Sequence, residues 1–379
     1  MRFDLLTPRR IAFGRGRAAE APEALARFGR HLLLVRGRSA AFADALERAL
    51  RAQGGALRVV QGAGEPTLDQ LETALDEARA FAPDAVAAIG GGSILDLGKA
   101  LAALAPSTRP PLDHLEVVGK GLPLEAAPLP FVAIPTTAGT GAEATKNAVI
   151  GVPAEGRKVS LRDERMLPAL ALVDPALTDA CPRPVTLASG LDAITQVIEP
   201  YLSARANPVT DALCRPAIPR GLAALIRLMQ EEDAPARDDM ALVSLTGGIA
   251  LANAGLGAVH GLAGVLGGRT GAPHGAICGR LLVPVLRTNR SAMQAEGRDL
   301  AKIDEVLGAI GEAFGVSGEQ ALERFAEWID AAGLPRLAQM TGPALDVTAI
   351  ARESLASSSM KGNPVPLSQS ALAALLAEA

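Results

Sequence analysis

Between residues 31 and 174, short apolar runs alternate with stretches of helical spacing, and beyond Pro182 such runs stop. No other feature of the chain constrains its fold as much as that switch. His31–Arg36 (HLLLVR) reads as a buried strand, Ser39–Ala52 as a helix with Ser39 as a possible N-cap, and residues 57–61 (LRVVQ) as a second strand. Thr67–Ala80 reads as a helix opened by a Thr67/Gln70 capping box. Residues 85–93 (AVAAIGGGS) run from a strand into a glycine turn, and Ile94–Leu104 is the helix that follows. Residues 131–141 (FVAIPTTAGTG) repeat strand and glycine turn, and residues 169–174 (ALALVD) close the series. Apolar strands alternating with helices predict a parallel sheet with helices on both faces.

From Pro182 onward the spacing is helical: Leu187–Leu202, Asp211–Met229, Asp238–Ala254, Leu300–Phe314, Gly318–Ala332 and Ile350–Ser358. A chain of 379 residues is too long for one core. The expected division is an α/β dinucleotide-binding domain over 1–180 and an all-helical metal and substrate domain over 181–379. Several function classes drop out. The net charge is −4 and the basic residues form no stripe, so no nucleic-acid partner is expected. No apolar run reaches the ~18 residues that span a bilayer, so no membrane association is expected. Residues 1–16 are Arg-rich without an apolar core, unlike a secretory leader. The three cysteines, Cys181, Cys214 and Cys278, fit neither a disulfide framework nor a CxxC metal site. A reduced, cytoplasmic protein is expected.

The glycine turns carry the first chemistry. Gly90–Ser93 follows a strand and opens a helix, where glycine lets backbone approach a ligand and free N–H groups face an anion. Asp96 and Lys99 follow within two turns, and Thr136–Gly141 ends the next strand. Two such turns at strand carboxyl ends mark the crevice where open α/β sheets bind nucleotides, although neither is a GxGxxG. The strand ending at Arg36 is followed by Gly37, Arg38 and Ser39, with no acidic residue to bind a ribose 2′-OH. That favours NADP over NAD.

The second chemistry lies in residues 258–279, an apolar, glycine-rich stretch holding His260 and His274, two of the chain's four histidines. Imidazoles paired in such a segment suit a divalent metal. Further ligands are needed, and Ser189–Ser203 supplies candidates. Asp192 and Gln196 lie four apart on one helix face, with Thr195 and Glu199 one position round. Asp192 sits among Leu191, Ile194 and Ile198, where a carboxylate needs a partner.

Taken together, RRIAFGRG (9–16), GGGSILDLGKA (90–100), IPTTAGTGAEAT (134–145), LVDPALT (172–178), GLDAITQVIEPY (190–201), VHGLAGVLGG (259–268), APHG (272–275) and KGNP (361–364) resemble the iron-dependent (group III) alcohol dehydrogenase family over nearly the whole chain. The resemblance implies a Rossmann-like parallel-sheet domain followed by a helical domain, the architecture shared with dehydroquinate synthase. It also implies a catalytic divalent metal, commonly iron or zinc, that polarises the substrate oxygen while a nicotinamide exchanges hydride with an alcohol or aldehyde carbon. The family's metal motif is an Asp, a His four residues on, and two further His. Asp192, His260 and His274 match the first, third and fourth; the second is Gln196, a weaker donor. A further histidine of most members, four residues after the third ligand, is Gly264 here. The implied cofactor positions are Gly37 at the ribose, where many members have aspartate, Gly91, Gly92, Ser93 and Asp96 toward the diphosphate and nicotinamide, Thr136, Thr137 and Thr140 around adenine and phosphates, and Lys158.

The expected function is NAD(P)-dependent interconversion of an alcohol with an aldehyde or ketone, with NADP preferred over NAD, a small-molecule substrate and a homodimeric assembly. Alternatives are a metal-free reductase like maleylacetate reductase, in which Gln196 donates a hydrogen bond to the substrate, a dehydroquinate synthase-like lyase, and a non-catalytic binding protein with a degenerate site. The lyase needs several basic residues, and the site stretches offer little beyond Arg269 and Arg280. The small residues Gly255, Gly257, Gly264 and Gly268 suggest a roomy substrate pocket.

Overall fold

The computed structural model describes residues 2–37, 41–318, 320–342 and 345–379. They divide into two compact units: Leu6–Thr137 with Gly141–Asp179, and Ala180–Ala379 with Ala138–Thr140 and a few N-terminal residues.

In the first unit the strands, in chain order, are β1 (Ile11–Phe13), β2 (His31–Arg36), β3 (Ala56–Gln61), β4 (Ala85–Gly90), β5 (Phe131–Pro135), β6 (Asn147–Val152), β7 (Arg157–Arg162) and β8 (Leu170–Val173). Six of them form a parallel sheet in the order β1-β8-β5-β4-β2-β3. The helices are α1 (Ala21–Ala26), α2 (Ala41–Ala52), α3 (Leu68–Phe81), α4 (Gly92–Leu104) and α5 (Pro111–His114). β4, β5 and β8 are buried along their whole length, as strands covered on both faces must be. β3, at an edge, alternates instead. Thr67 and Gln70 form the expected capping box at the start of α3. The proposed cap Ser39 lies outside the described residues.

The chain leaves β2 for β3 on one side and returns to β4 on the other, so the strand order reverses between β2 and β4. The register pairs Arg36 with Ile89, which brings Gly37 and the Gly90–Ser93 turn to neighbouring strand ends at that switch point. A Cβ at Gly90 would lie 2.7 Å from Ile94 Cβ, so the turn into α4 admits only glycine. β6 and β7 form an antiparallel hairpin tied to α4. Lys99 Nζ, fully buried, lies within 2.7–2.9 Å of Ala142 O, Thr145 O, Thr145 Oγ1 and Asn147 O.

The second unit is helical: α6 (Arg183–Leu202), α7 (Pro208–Leu228), α8 (Ala234–Ala254), α9 (Ala258–Thr270), α10 (His274–Ala295), α11 (Ala301–Phe314), α12 (Gln320–Ala332), α13 (Leu337–Thr341), α14 (Val347–Ser354) and α15 (Gln369–Glu378). α6 is buried all round from Gly190 to Leu202 and packs against α7, α8 and α10. Asn207 and Asp233 cap α7 and α8. Several elements escape the sequence reading. α9 is largely buried and rich in small residues, so no continuous polar face reveals its period, and the helical pattern of α10 is interrupted by Pro284. β1 is three residues long, and β6 and β7 lie outside the main sheet. Among the described residues no single helix is long and apolar enough to cross a membrane.

Candidate functional site

One long helix organises the helical unit's polar centre. Asp192, Gln196 and Glu199 fall at i, i+4 and i+7 on α6, one stripe of a helix otherwise packed with Leu, Ile and Val. All three are buried. Glycines let two further helices come close. A Cβ at Gly275 would lie 2.5 Å from Ala188 O, and one at Gly279 2.6 Å from Leu191 Cδ1, so α10 lies directly against α6. α9 ends at Gly271, whose φ of 71° gives the left-handed turn that leads into α10. His260 from α9 and His274 from the start of α10 thereby meet, their ring centroids 5.3 Å apart.

The donor atoms converge. His260 Nε2 is 3.3 Å and His274 Nε2 3.8 Å from Asp192 Oδ1. Cys278 Sγ is 3.7 Å from His274 Nε2. One ligand atom from each of Asp192, His260, His274 and Cys278 lies within 4.8 Å of every other. A tetrahedron with metal–ligand bonds of 2.0–2.3 Å has edges of about 3.3–3.8 Å, close to the three distances above. Asp192 Oδ1 and His260 Nε2 are buried without a hydrogen-bond partner, although they face each other. Two buried polar atoms without hydrogen-bond partners, aimed at one point, are what a cation would satisfy, and the O, N, N, S donor set suits a divalent transition metal.

Glu199 fixes the orientation of His260. Its Oε1 accepts from Val259 N at 2.7 Å, at the N-terminus of α9, and its Oε2 pairs with His260 Nδ1 at 2.6 Å. A carboxylate accepts, so Nδ1 carries a proton toward Glu199, and Nε2 is the ring atom left to face Asp192. Burial pushes both imidazoles toward neutrality, yet the neighbouring Cys278 sulfur and Asp192 carboxylate outweigh it and hold His260 and His274 above the ordinary value. Burial likewise works against the Asp192 charge, but His274 and His260 hold its pKa below the ordinary value. The cluster therefore retains positive charge as bound protons, which a divalent cation would replace.

Gln196 lies on the same stripe of α6, one turn after Asp192. Its Nε2 donates to Thr140 O at 2.6 Å. A carbonyl only accepts, so the amide nitrogen faces Thr140. Sequence reasoning set Glu199 one position round from the Asp192 face, whereas i+7 places it on that face, and it passed over Cys278, which i+4 from His274 would have located. It also misjudged one glycine. A Cβ at Gly257 would lie 2.8 Å from Glu199 Oε1, so this glycine serves close packing, not a roomy pocket. Gly264 is open: a Cβ there would meet nothing within 4 Å.

The cofactor candidates fall mostly in the α/β unit. Gly91 precedes α4 as its N-cap, and Gly92 and Ser93 form the first turn. Thr136 N donates to Gly90 O at 2.9 Å, and Thr137 lies beside Gly91. Asp96 Oδ2 accepts from Val149 N at 3.0 Å, and Lys158 pairs with Glu65. Thr140 belongs to the helical unit, through Gln196. Gly37 has room, with Ile94 Cγ1 3.8 Å from a built Cβ. Arg36 turns back to pair with Asp44 and Glu47 of α2, so it is no free phosphate ligand; Arg38 and Ser39 lie outside the described residues.

Comparison with known proteins gives a consistent answer. Residues 8–175 match a family model described as iron-containing alcohol dehydrogenase, and residues 186–379 match the C-terminal model of the Fe-containing alcohol dehydrogenase family. The chain is 33% identical over 305 residues to a probable alcohol dehydrogenase of Salmonella typhimurium, covering 76% of each. It is 33% identical over 304 residues to a lactaldehyde reductase of Escherichia coli, covering 79% of this chain and 78% of the relative. A crystal structure of 1,3-propanediol oxidoreductase superposes with a TM-score of 0.88 at 28% identity, covering 100% of each chain. An alcohol dehydrogenase from Oenococcus oeni gives 0.88 at 25% identity, also covering 100% of each.

Proposed function

The chain belongs to the iron-containing alcohol dehydrogenase family, an oxidoreductase family of NAD(P)-dependent alcohol–aldehyde interconversion, and from that premise we propose that this member reduces a small aldehyde or oxidises the matching alcohol with NADP(H), using a divalent metal held by Asp192, His260 and His274. The observation that carries the reading is the convergence of donor atoms, two of them buried and orphaned, on one point between α6, α9 and α10. A divalent cation bound there supplies Lewis acidity toward the substrate oxygen. Glu199 holds the His260 tautomer through Nδ1, and Asp192 offers an anionic oxygen in a buried setting where charge is felt strongly. At Gly264 the wall is open and carries no imidazole, so this position adds space for substrate and no proton relay.

We assign cofactor binding to the α/β unit. The free N–H groups at the start of α4 suit a diphosphate, and Gly37 offers no carboxylate to repel a 2′-phosphate. The metal and substrate role falls to the helical unit. The metal-free alternative has less support, because the Gln196 amide nitrogen that would address substrate is held by Thr140 O. The lyase alternative also weakens, because Arg269 and Arg280 are paired with Glu353 and Asp330. The test is oxidation of NADPH and NADH against a panel of aldehydes, with metal analysis of the same sample. Aldehyde-dependent NADPH oxidation that stops on chelation and returns with added metal is expected. Undiminished turnover in metal-free protein would overturn the metal assignment, and equal use of the two cofactors would overturn the NADP assignment.

A further inference from the structure

We propose that Cys278 is a metal ligand of this chain, a fourth donor beside Asp192, His260 and His274, and that its sulfur biases the site toward zinc over iron. The inference rests on the metal-dependent reading above and goes beyond it in naming a donor and a preference. Cys278 lies one turn after His274 on α10, so both side chains leave the same face of that helix. It is fully buried, and its sulfur is 3.7 Å from His274 Nε2. It shares the 4.8 Å envelope with Asp192 and both imidazoles. The independent observation is the pair of orphaned atoms: Asp192 Oδ1 and His260 Nε2 are buried, without hydrogen-bond partners, and aimed into the same space.

Gln196, the other candidate donor, has its amide nitrogen engaged by Thr140 O, which leaves a cation only its neutral amide oxygen, a weaker donor than a thiolate for zinc. The remaining cysteines differ from Cys278: Cys181 is partly exposed and Cys214 is on α7, and neither belongs to the converging set. On binding, the S–H bond of Cys278 breaks, its proton passes to solvent, and the sulfur lone pair forms the bond to the cation. A thiolate beside one carboxylate balances the two positive charges of the ion. Sulfur donors favour zinc among the common divalent ions, whereas an all-nitrogen and oxygen set shows no such bias.

The test uses the full chain, freed of metal by chelation and then titrated with Co(II) and, separately, with buffered Zn(II) and Fe(II). Wild type loaded with Co(II) should show a sulfur-to-cobalt charge-transfer band in the near ultraviolet, and the Cys214→Ser variant should keep it. Cys278→Ser and Cys278→Ala should lose the band and weaken metal binding by at least the tenfold to about hundredfold seen when even an outer-shell partner is removed. The zinc-over-iron preference should narrow in both. A wild type that binds cobalt without the band, together with unchanged affinity in Cys278→Ser, would overturn the assignment while leaving the metal reading intact. Failure of wild type to bind any of the three ions would overturn both. The wild-type and Cys214→Ser spectra decide the matter even if the Cys278 variants fold poorly.

Discussion

Two buried polar clusters, one in each unit, make opposite use of charge. In the α/β unit, Lys99 lies at the centre of α4 with four oxygen atoms around its ammonium, more acceptors than the three protons it has. Burial pushes its pKa down to about 8, and the same burial pushes the nearby Glu143 carboxylate up to about 7. In the helical unit, Asp192 and His260 are nearly as dry, yet an oxygen and a nitrogen are left without partners. A buried charge that is fully hydrogen-bonded fixes structure; one that is left short, with its neighbours converging on the same space, invites a ligand. Orphaning by itself is not enough. His114 Nε2 is also without a partner, but it belongs to no converging set among the described residues.

Substitutions in each cluster can break this contrast. The largest effect is expected at His274→Ala. Metal content should vanish and kcat/KM should fall by roughly a thousandfold or more, the several kcal/mol of a lost Lewis acid, while the melting temperature of the metal-free forms stays close. Retained metal with full turnover would mean that the convergence is accidental. Lys99→Met should do the reverse. It leaves three carbonyls and a hydroxyl without their cation and should destabilise the protein by about 3 kcal/mol, read by denaturant titration, with metal affinity untouched. Loss of metal there with unchanged stability would erase the distinction.

Smaller changes sharpen the comparison. Glu199→Gln keeps the volume but replaces a charged acceptor with a neutral amide against His260 Nδ1. Metal affinity should fall tenfold to about a hundredfold, with the fold intact by circular dichroism; an unchanged affinity would reduce Glu199 to a helix-terminus anchor for Val259. The smallest effect tests the α/β unit's own ligand. Gly37→Asp fits without a clash and should lower kcat/KM with NADPH by about tenfold relative to NADH, the ~1.4 kcal/mol scale of one unfavourable charge contact. A variant whose cofactor ratio equals that of wild type would place the 2′-phosphate elsewhere.

The order of elements in the α/β unit was legible because strands buried on both faces must be apolar along their length, and β4, β5, β8 and the centre of β2 are. The short β1 and the β6–β7 hairpin were not, since their pairing is decided by what lies beside them. The glycine turns, the capping box at Thr67, and Asp192, His260 and His274 as site candidates followed from residue type and spacing alone. α9 did not, because a helix built almost entirely of small apolar residues has no polar face to mark its period, and α10 did not, because Pro284 interrupts its pattern.

What the sequence determined by itself was therefore local: which segments are strands covered on both faces, where glycine must stand, and which side chains can ligate a metal. The tertiary structure decided the partnerships. It gave Arg36 to α2, Gln196 to Thr140 O, and Glu199 to His260, and it brought Cys278, one turn after His274, within reach of Asp192 and His260. The reason is geometric. Spacing along one helix fixes which residues share a face, but which face meets which is set by the close approach of α10 to α6 that Gly275 and Gly279 permit.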